Sequence, residues 1–152
     1  MWSDEFNGDS LNRADWNVEI HEKGWVNNEL QEYVDSAENI QVKDGKLIIN
    51  PVKKVTDGDT GSTKEAASYT SGRVSTQNKQ TFIYGRFECR AKVPKGQGYL
   101  PAFWLMANNE NVYGQWPRCG EIDCMEVMGQ ETNKTYGTIH YGNPHSQSQG
   151  TY

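Results

Sequence analysis

The sequence lacks long hydrophobic runs and any excess of positive charge. No apolar stretch approaches the roughly 18–20 residues that cross a bilayer, so we expect no membrane partner. The formal net charge of the 152 residues is −5 at pH 7. Because nucleic acids are bound mainly by basic surfaces, a nucleic-acid partner is disfavoured. The length is nevertheless sufficient for one domain with a real core.

Cysteine is also scarce. The three cysteines, Cys89, Cys119 and Cys124, are an odd number, so at least one must be free, and we expect all three to be reduced. Their spacing does not match that of a zinc site. We therefore expect neither a disulfide framework nor a bound zinc ion.

Long helical patterns are few, whereas glycine and aromatic residues are plentiful, with 15 Gly, five Trp and eight Tyr. Short apolar segments between turn residues are typical of an all-β domain and favour a β-sandwich. One hairpin is expected over 38–49, around the Asp44-Gly45 turn. Further expected elements are strands at 72–76, 83–93, 99–106 and 135–141, loops at 51–67 and 107–118, and an irregular polar tail at 142–152.

Three acidic residues, Glu121, Asp123 and Glu126, interrupt a segment that otherwise alternates like a strand. Acidic side chains are poor strand formers, and three on one short strand repel each other. Alternate residues of a strand share a face, which groups Glu121 with Asp123 and turns Glu126 to the other side. A β-bulge around Cys124-Met125 would return Glu126 to their face.

The apolar residues of this strand predict the same bulge, because it would bring Ile122 and Val127 together on the core side, where Cys124 should also face. Two glutamates on one face at this spacing would have carboxyl groups roughly 5–6 Å apart, as in a retaining glycosidase. Three close carboxylates do not all ionise easily, so one should hold a proton. The alternative is a chance acidic cluster on a solvated face.

The residues around the cluster resemble a known family. The string Trp116-Pro117-x-Cys119-Gly120-Glu121-Ile122-Asp123-x-x-Glu126 resembles the active-site signature of glycoside hydrolase family 16, in its laminarinase-like branch. Six further segments resemble strands of that family in the same order: 4–8, 27–31, 70–74, 84–88, 98–106 and 137–141. The resemblance implies a concanavalin-like jelly roll, a β-sandwich with a concave substrate cleft.

The resemblance also implies a role for each acidic residue. Glu121 matches the nucleophile, Glu126 matches the acid/base, and Asp123 matches the helper that orients and tunes Glu121. The implied activity is retaining, endo-acting hydrolysis of laminarin-type β-1,3-glucan, which requires no cofactor. A mixed-linkage 1,3-1,4-glucanase, an agarase-like galactan hydrolase and a glucan-binding fragment without catalysis remain open.

Five other residues match substrate-binding positions of the family: Asn28, Arg73, Trp104, Trp116 and His140. The two tryptophans match cleft aromatics, on which the apolar face of a sugar stacks. The asparagine and the arginine match groups that hold sugar hydroxyls, and Asn27 competes with its neighbour for that position. Core packing is the alternative for Trp104, and a rim ion pair is the alternative for Arg73.

A structural calcium is a weaker implication of the resemblance, which would place Glu5 and the Gly45 carbonyl near the ion. Two matching positions are too few for the six to eight oxygens that surround calcium. The resemblance also implies that this ion lies far from the acidic strand.

The resemblance ends shortly after the strand that carries His140, whereas family domains continue with further strands. We interpret 1–152 as a single, partial catalytic domain that is incomplete at its C-terminus. A shortened piece of a longer chain, a proteolytic product and one half of a split protein all remain open. In the last case a second chain, or self-association, would supply the missing strands. An extracellular location is expected for the native protein. The domain starts directly after Met1, so we expect no signal peptide here and a methionine added for expression.

Overall fold

The computed structural model describes residues 1–54 and 68–152. They form two compact units, Met1–Thr81 and Phe82–Tyr152. Almost all regular structure in the described ranges is β, which confirms the predicted all-β class. No helix in those ranges has the length and apolar character needed to cross a membrane. The interpretation of 1–152 as one partial domain stays a prediction.

The first unit has its described strands in three small sheets. They are β1 Asn17–Val18, β2 Gln31–Tyr33, β3 Ile40–Val42, β4 Leu47–Ile49, β5 Val52–Lys54, β6 Ser68–Ser71 and β7 Val74–Ser75. β1 pairs with β7, β3 pairs with β4, and the third sheet has the order β2-β6-β5. The prediction of a loop over 51–67 is wrong for Val52–Lys54, which form β5 and pair with β6. Residues 55–67 of that segment lie outside the described part.

The hairpin predicted over 38–49 is confirmed by the antiparallel pairing of β3 with β4. Asp44 and Gly45 form its turn with φ of 53° and 68°. Two successive positive φ values match the twist of a two-residue hairpin, and Asp and Gly tolerate them better than most residues. Among the described residues of this unit, the buried apolar ones are Leu11, Ile40 and Val42.

The second unit is built on one antiparallel sheet. Its strands are β8 Ala102–Met106, β9 Glu121–Glu126, β10 Tyr136–Tyr141 and β11 Ser146–Thr151, in the order β11-β10-β9-β8. A four-residue helix, α1 Glu110–Tyr113, lies in the connection from β8 to β9, which was predicted to be a loop. The acidic strand β9 is thus held by hydrogen bonds on both sides.

β11 corrects the prediction of an irregular tail at 142–152. All six of its residues pair with β10, and all six are exposed. A strand whose side chains are all exposed needs no apolar alternation. Backbone hydrogen bonds and a 2.9 Å bond from Nε2 of Gln149 to Oγ1 of Thr138 hold it in the sheet.

The strand predicted at 83–93 is wrong. None of the described strands includes this segment, and nearly all its side chains are exposed. Alternation predicts which face a strand would bury, but it does not provide a partner for the backbone. The strand predicted at 99–106 begins only at Ala102, and none of its residues is fully buried, although cover on both faces was expected.

Candidate active site

The bulge predicted in β9 is confirmed by its pairing with β8. Phe103 faces Met125, and the next residue, Trp104, faces Asp123. Cys124 is therefore the extra residue of the acidic strand. The extra residue shifts the alternation by one position, so Glu126 returns to the face of Glu121 and Asp123.

The three acidic residues of β9 lie on one face of the sheet. Alternate residues of β10 share a face, and three alternate residues of β10 are their partners. The pairs are His140 with Glu121, Thr138 with Asp123, and Tyr136 with Glu126. The predicted grouping of the carboxylates is confirmed, whereas the predicted separation of the glutamate carboxyl groups stays a prediction.

On the opposite face of β9, the prediction that Ile122 and Val127 face the core is confirmed only for Val127. Val127 is buried, with 3% of its surface exposed, but Ile122 is 52% exposed. Ile122 pairs with Leu105 on one side and Ile139 on the other. Its neighbours therefore extend an apolar strip along the sheet and do not cover it. Cys124 is only half-buried, and all three cysteines are free, as expected.

Asp123 is the most buried of the three carboxylates, with 6% of its surface exposed. Nε2 of His140 lies 3.1 Å from its Oδ2. Burial, followed by the charges of Glu121 and Glu126, raises the pKa of Asp123 to about 6, and His140 opposes that shift. Asp123 is therefore a carboxyl that retains its proton in mildly acidic solution.

Burial also raises the pKa of Glu126. The charge of Glu121 adds to this effect, while His140 and a hydrogen bond from Thr138 act against it. A glutamic acid that keeps its proton longer than usual is suited to donate that proton to a leaving group.

Glu121 is held by an indole ring. Nε1 of Trp116 donates a 2.6 Å hydrogen bond to Oε2 of Glu121. The backbone N–H of Trp116 in turn donates to Oε2 of Glu110, at 3.1 Å, which ties the loop to α1. The indole remains 44% exposed, so it offers an apolar surface on which a sugar can stack.

Trp104 lies on the same face as the carboxylates, because directly paired residues of neighbouring strands share a face and its partner is Asp123. Its half-buried side chain is placed beside the acidic cluster and not in an enclosed core. The predicted tryptophans and His140 are thus all brought to the acidic face of this unit.

His145 belongs to the same cluster, although no sequence pattern predicted a role for it. Its Nε2 lies 3.0 Å from Nδ1 of His140, and its ring centre lies 5.0 Å from that of Trp116. Only the pairing of β11 with β10 returns His145 to this position. Because β11 itself has no apolar pattern, no signal in the sequence predicted this contact.

Arg73 and Asn28 lie in the first unit. Nε of Arg73 donates a 2.6 Å hydrogen bond to Oε2 of Glu19, so the ion pair considered as an alternative is present. Burial alone would raise the pKa of Glu19, but Arg73 holds it below its usual value. The guanidinium also lies 5.0 Å from the ring centre of Trp25 and 5.8 Å from that of Tyr33.

Trp25 is a candidate sugar-binding residue that the sequence reasoning missed. Its ring stacks on His21 with 3.5 Å between ring centres and 5° between planes. It is 48% exposed beside Arg73. The available signal was its position just before Asn27 and Asn28, which are both exposed with φ of 52°.

The two residues predicted to bind calcium do approach each other. A Cβ built on Gly45 would lie 3.9 Å from the Glu5 carbonyl oxygen and 3.9 Å from Oδ1 of Asn7. Oxygen is the ligand that calcium prefers. However, no group of three His, Cys, Asp or Glu side chains able to hold a metal occurs in residues 1–54 and 68–152. These donors do not complete a calcium shell, and the ion stays a prediction.

Comparison with known proteins supports one family. The family model described as "Beta-porphyranase A-D, GH16 domain" matches residues 1–151. The chain is 46% identical to the "Glucan endo-1,3-beta-glucosidase" of Cryptopygus antarcticus, over 93% of this chain and 50% of that protein. It is 40% identical to the "Glucan endo-1,3-beta-glucosidase A1" of Niallia circulans, over 99% of this chain and 23% of that protein. The chain therefore spans half or less of these curated relatives.

A solved structure gives the same result for the fold. The laminarinase from Rhodothermus marinus superposes with a TM-score of 0.86 at 36% identity, covering 100% of this chain and 60% of that chain. This likeness confirms the predicted β-sandwich jelly roll. Because the family model spans nearly every residue and the acidic strand carries the expected bulge, this chain belongs to glycoside hydrolase family 16.

Proposed function

We propose that this chain carries the catalytic strand of a retaining, endo-acting β-1,3-glucanase. The bulged register of β9 is the observation that carries the proposal, because it gathers Glu121, Asp123 and Glu126 on one face. Two glutamates on one face provide a nucleophile and an acid/base for double displacement. The names of the most similar relatives support β-1,3-glucan as the substrate.

In the first step, Glu121 attacks the anomeric carbon and forms a glycosyl ester while the glycosidic C–O bond breaks. The Trp116 hydrogen bond fixes one of its carboxylate oxygens. Glu126 gives its proton to the departing sugar oxygen, a role that its raised pKa supports. In the second step, Glu126 takes a proton from water, and the resulting hydroxide displaces Glu121 from the sugar.

Asp123 responds to the charge of Glu121 during this cycle. Glu121 raises the pKa of Asp123 while it is ionised. Ester formation removes that charge, so Asp123 ionises more readily when the intermediate forms. The nearby negative charge then helps to stabilise positive charge on the sugar ring. Arg73, Asn28 and the exposed tryptophans are proposed to bind sugar units.

A galactan is the second candidate substrate. The matching family model is described as a β-porphyranase domain, and glucan and galactan hydrolysis require the same pair of carboxylates. Sugar identity depends on residues that contact the hydroxyl groups, so the acidic strand alone does not distinguish the two polymers.

The test is reducing-sugar release by the 152-residue chain from laminarin, mixed-linkage β-glucan, agarose and porphyran in parallel. We expect release from laminarin that disappears in Glu121→Gln. Release from porphyran alone would favour the galactan assignment. Binding of laminarin without release by the wild-type chain would instead favour a glucan-binding fragment.

An extracellular location is part of the same proposal, since polymeric glucan does not enter cells intact. A structural calcium near Glu5 and Gly45 is proposed only as a support for the fold, with no part in catalysis. We likewise propose that a second chain or a second copy of this chain supplies further strands. The molar mass from size-exclusion chromatography with light scattering tests this.

A further inference from the structure

A chain of hydrogen-bonded groups leads from the buried carboxylate of Asp123 to the surface. Nε2 of His140 lies 3.1 Å from Oδ2 of Asp123, and Nδ1 of the same ring lies 3.0 Å from Nε2 of His145. His145 follows the turn after β10 and is exposed. Neither the acidic cluster nor the family resemblance assigns it a role.

The chemistry of the three groups decides where their protons lie. An ionised carboxylate only accepts hydrogen bonds, so Nε2 of His140 donates to Asp123. A neutral imidazole carries a single N–H, which leaves Nδ1 of His140 as an acceptor. His145 then supplies its Nε2–H to that acceptor. In this arrangement His145 holds His140 in the tautomer that points its N–H at the carboxylate.

His145 also contacts the residue that holds the neighbouring carboxylate. Its ring centre lies 5.0 Å from that of Trp116, whose Nε1 donates to Glu121. The rings of His140 and His145 are nearly parallel, with 20° between their planes and 5.2 Å between their centres. One exposed side chain thus supports the groups that hold two of the three carboxylates.

We propose that His145 is a positioning residue that fixes the tautomer of His140 and thereby keeps a hydrogen-bond donor aimed at Asp123. The hydrogen-bonding role rests on the geometry, and its consequence for turnover rests on the proposed function. Without the donor from His145, His140 can carry its proton on Nδ1 and turn a lone pair toward Asp123. That arrangement favours the protonated carboxyl, whereas His140 as observed acts to lower the pKa of Asp123.

The other charged groups that face Asp123 lie on β9. Glu121 and Glu126 share its face of the sheet, and both raise its pKa. Trp104 of β8, directly opposite Asp123, does not titrate. Gln147 of β11, directly opposite His140, does not titrate either. A substitution at His145 therefore leaves the carboxylate charges in place and changes the donor to His140.

Two substitutions separate hydrogen bonding from packing. His145→Phe keeps an aromatic ring beside Trp116 but removes the donor, whereas His145→Gln offers an amide N–H to His140. Ser148→Ala, on the opposite face of β11, is the matched control. Nitrogen-15 NMR of the 152-residue chain reports which nitrogen of His140 carries the proton. Carbon-13 NMR of the carboxyl groups reports the titration of Asp123.

Above the titration of Asp123, we expect the His140 proton on Nε2 in the wild type, in His145→Gln and in the control. His145→Phe should populate the Nδ1–H form and raise the titration midpoint of Asp123 by roughly 0.5–1 pH unit, the size expected for a weakened hydrogen bond to a carboxylate. An unchanged tautomer and midpoint in His145→Phe would overturn the proposal. Equal changes in both His145 variants would overturn it too, because they would show a packing role.

Laminarin hydrolysis tests the consequence for turnover separately. In His145→Phe the acid limb of the kcat/KM profile should move to higher pH by the same amount as the midpoint, while His145→Gln keeps the wild-type profile. A shifted midpoint with an unshifted acid limb would contradict the link to turnover. If the midpoint shifts in His145→Phe but the wild-type chain hydrolyses no glycan, the proposed function is refuted and the hydrogen-bonding role stands.

Discussion

Nε1 of Trp116 donates a 2.6 Å hydrogen bond to Oε2 of Glu121, from the loop that follows α1 to the first residue of β9. The same indole is 44% exposed. One side chain therefore joins a surface suited to sugar stacking to the carboxylate proposed as nucleophile. We therefore expect sugar binding at this ring to be coupled to the orientation of Glu121.

Trp116→Phe should separate these two contributions. The substitution keeps an aromatic surface but removes the hydrogen bond to Glu121. We expect kcat on laminarin to fall about tenfold with a smaller change in KM, because a bond to a charged group contributes roughly 1.5–3 kcal/mol and exposure reduces it. Tyr113→Phe, an exposed position on α1, is the control. An increase in KM with unchanged kcat would show that Trp116 only binds sugar.

The stability of the chain should depend on pH through Asp123. Its folded pKa of about 6 lies above the ordinary value of 3.8. The folded state therefore holds the proton more tightly than the unfolded state, and the resulting stability is complete below pH 3.8 and lost as pH rises through 6. Asp123→Asn should remove this dependence on pH. At pH 7 its free energy of unfolding should gain on the order of 1–3 kcal/mol relative to wild type.

Urea unfolding at several pH values between 3.5 and 7.5 measures this effect. The difference between wild type and Asp123→Asn should grow as pH rises from about 4 to about 7, in line with a pKa raised by burial. Parallel curves for the two proteins over that range would contradict the raised pKa. The amide of Asn still accepts a hydrogen bond from His140, so the variant retains that contact.

Glu126→Ala should distinguish the acid/base from the nucleophile. An activated aryl leaving group departs without needing a proton. With an aryl glucoside as substrate, the first step should therefore survive in this variant. We expect laminarin hydrolysis to fall at least a thousandfold, within the usual range for general acid catalysis and its partner step. Added azide should restore turnover of the aryl glucoside. If azide restored nothing and both substrates lost activity equally, the acid/base assignment would be wrong.

Trp25→Ala tests the sugar-binding surface inferred in the first unit. Removing an exposed ring that stacks on His21 beside Arg73 should weaken laminari-oligosaccharide binding about tenfold, as loss of one aromatic contact predicts. Isothermal titration calorimetry with Glu121→Gln as background avoids hydrolysis during the measurement. Ile83→Ala, at a position that is 98% exposed, serves as the control. Unchanged affinity would exclude Trp25 from sugar binding.

The bulge could be predicted from sequence because two independent patterns required it. A regular strand would have separated Glu126 from Glu121, and it would equally have separated Val127 from Ile122. The polar and apolar residues therefore agreed on one extra residue, which the pairing identifies as Cys124. The expected burial of Ile122 was wrong, because that residue is 52% exposed. Alternation predicts the face of the sheet on which a side chain lies, but not whether another layer covers that face.

An element without an apolar pattern could not be predicted. β11 pairs fully with β10 while all its side chains are exposed, so its sequence carries no apolar signal. Residues 83–93 show the reverse, an alternating pattern that pairs with none of the described strands. The contact of His145 with His140 depends on β11 and was missed for the same reason.

The stereochemistry of laminarin hydrolysis tests the central assignment most directly. Proton NMR during the first minutes of reaction shows whether the newly released reducing end is the β or the α anomer. Double displacement at Glu121 predicts the β anomer first, and a fluorosugar-trapped peptide containing Glu121 should be found by mass spectrometry. Initial release of the α anomer, or full activity in Glu121→Gln, would contradict the account.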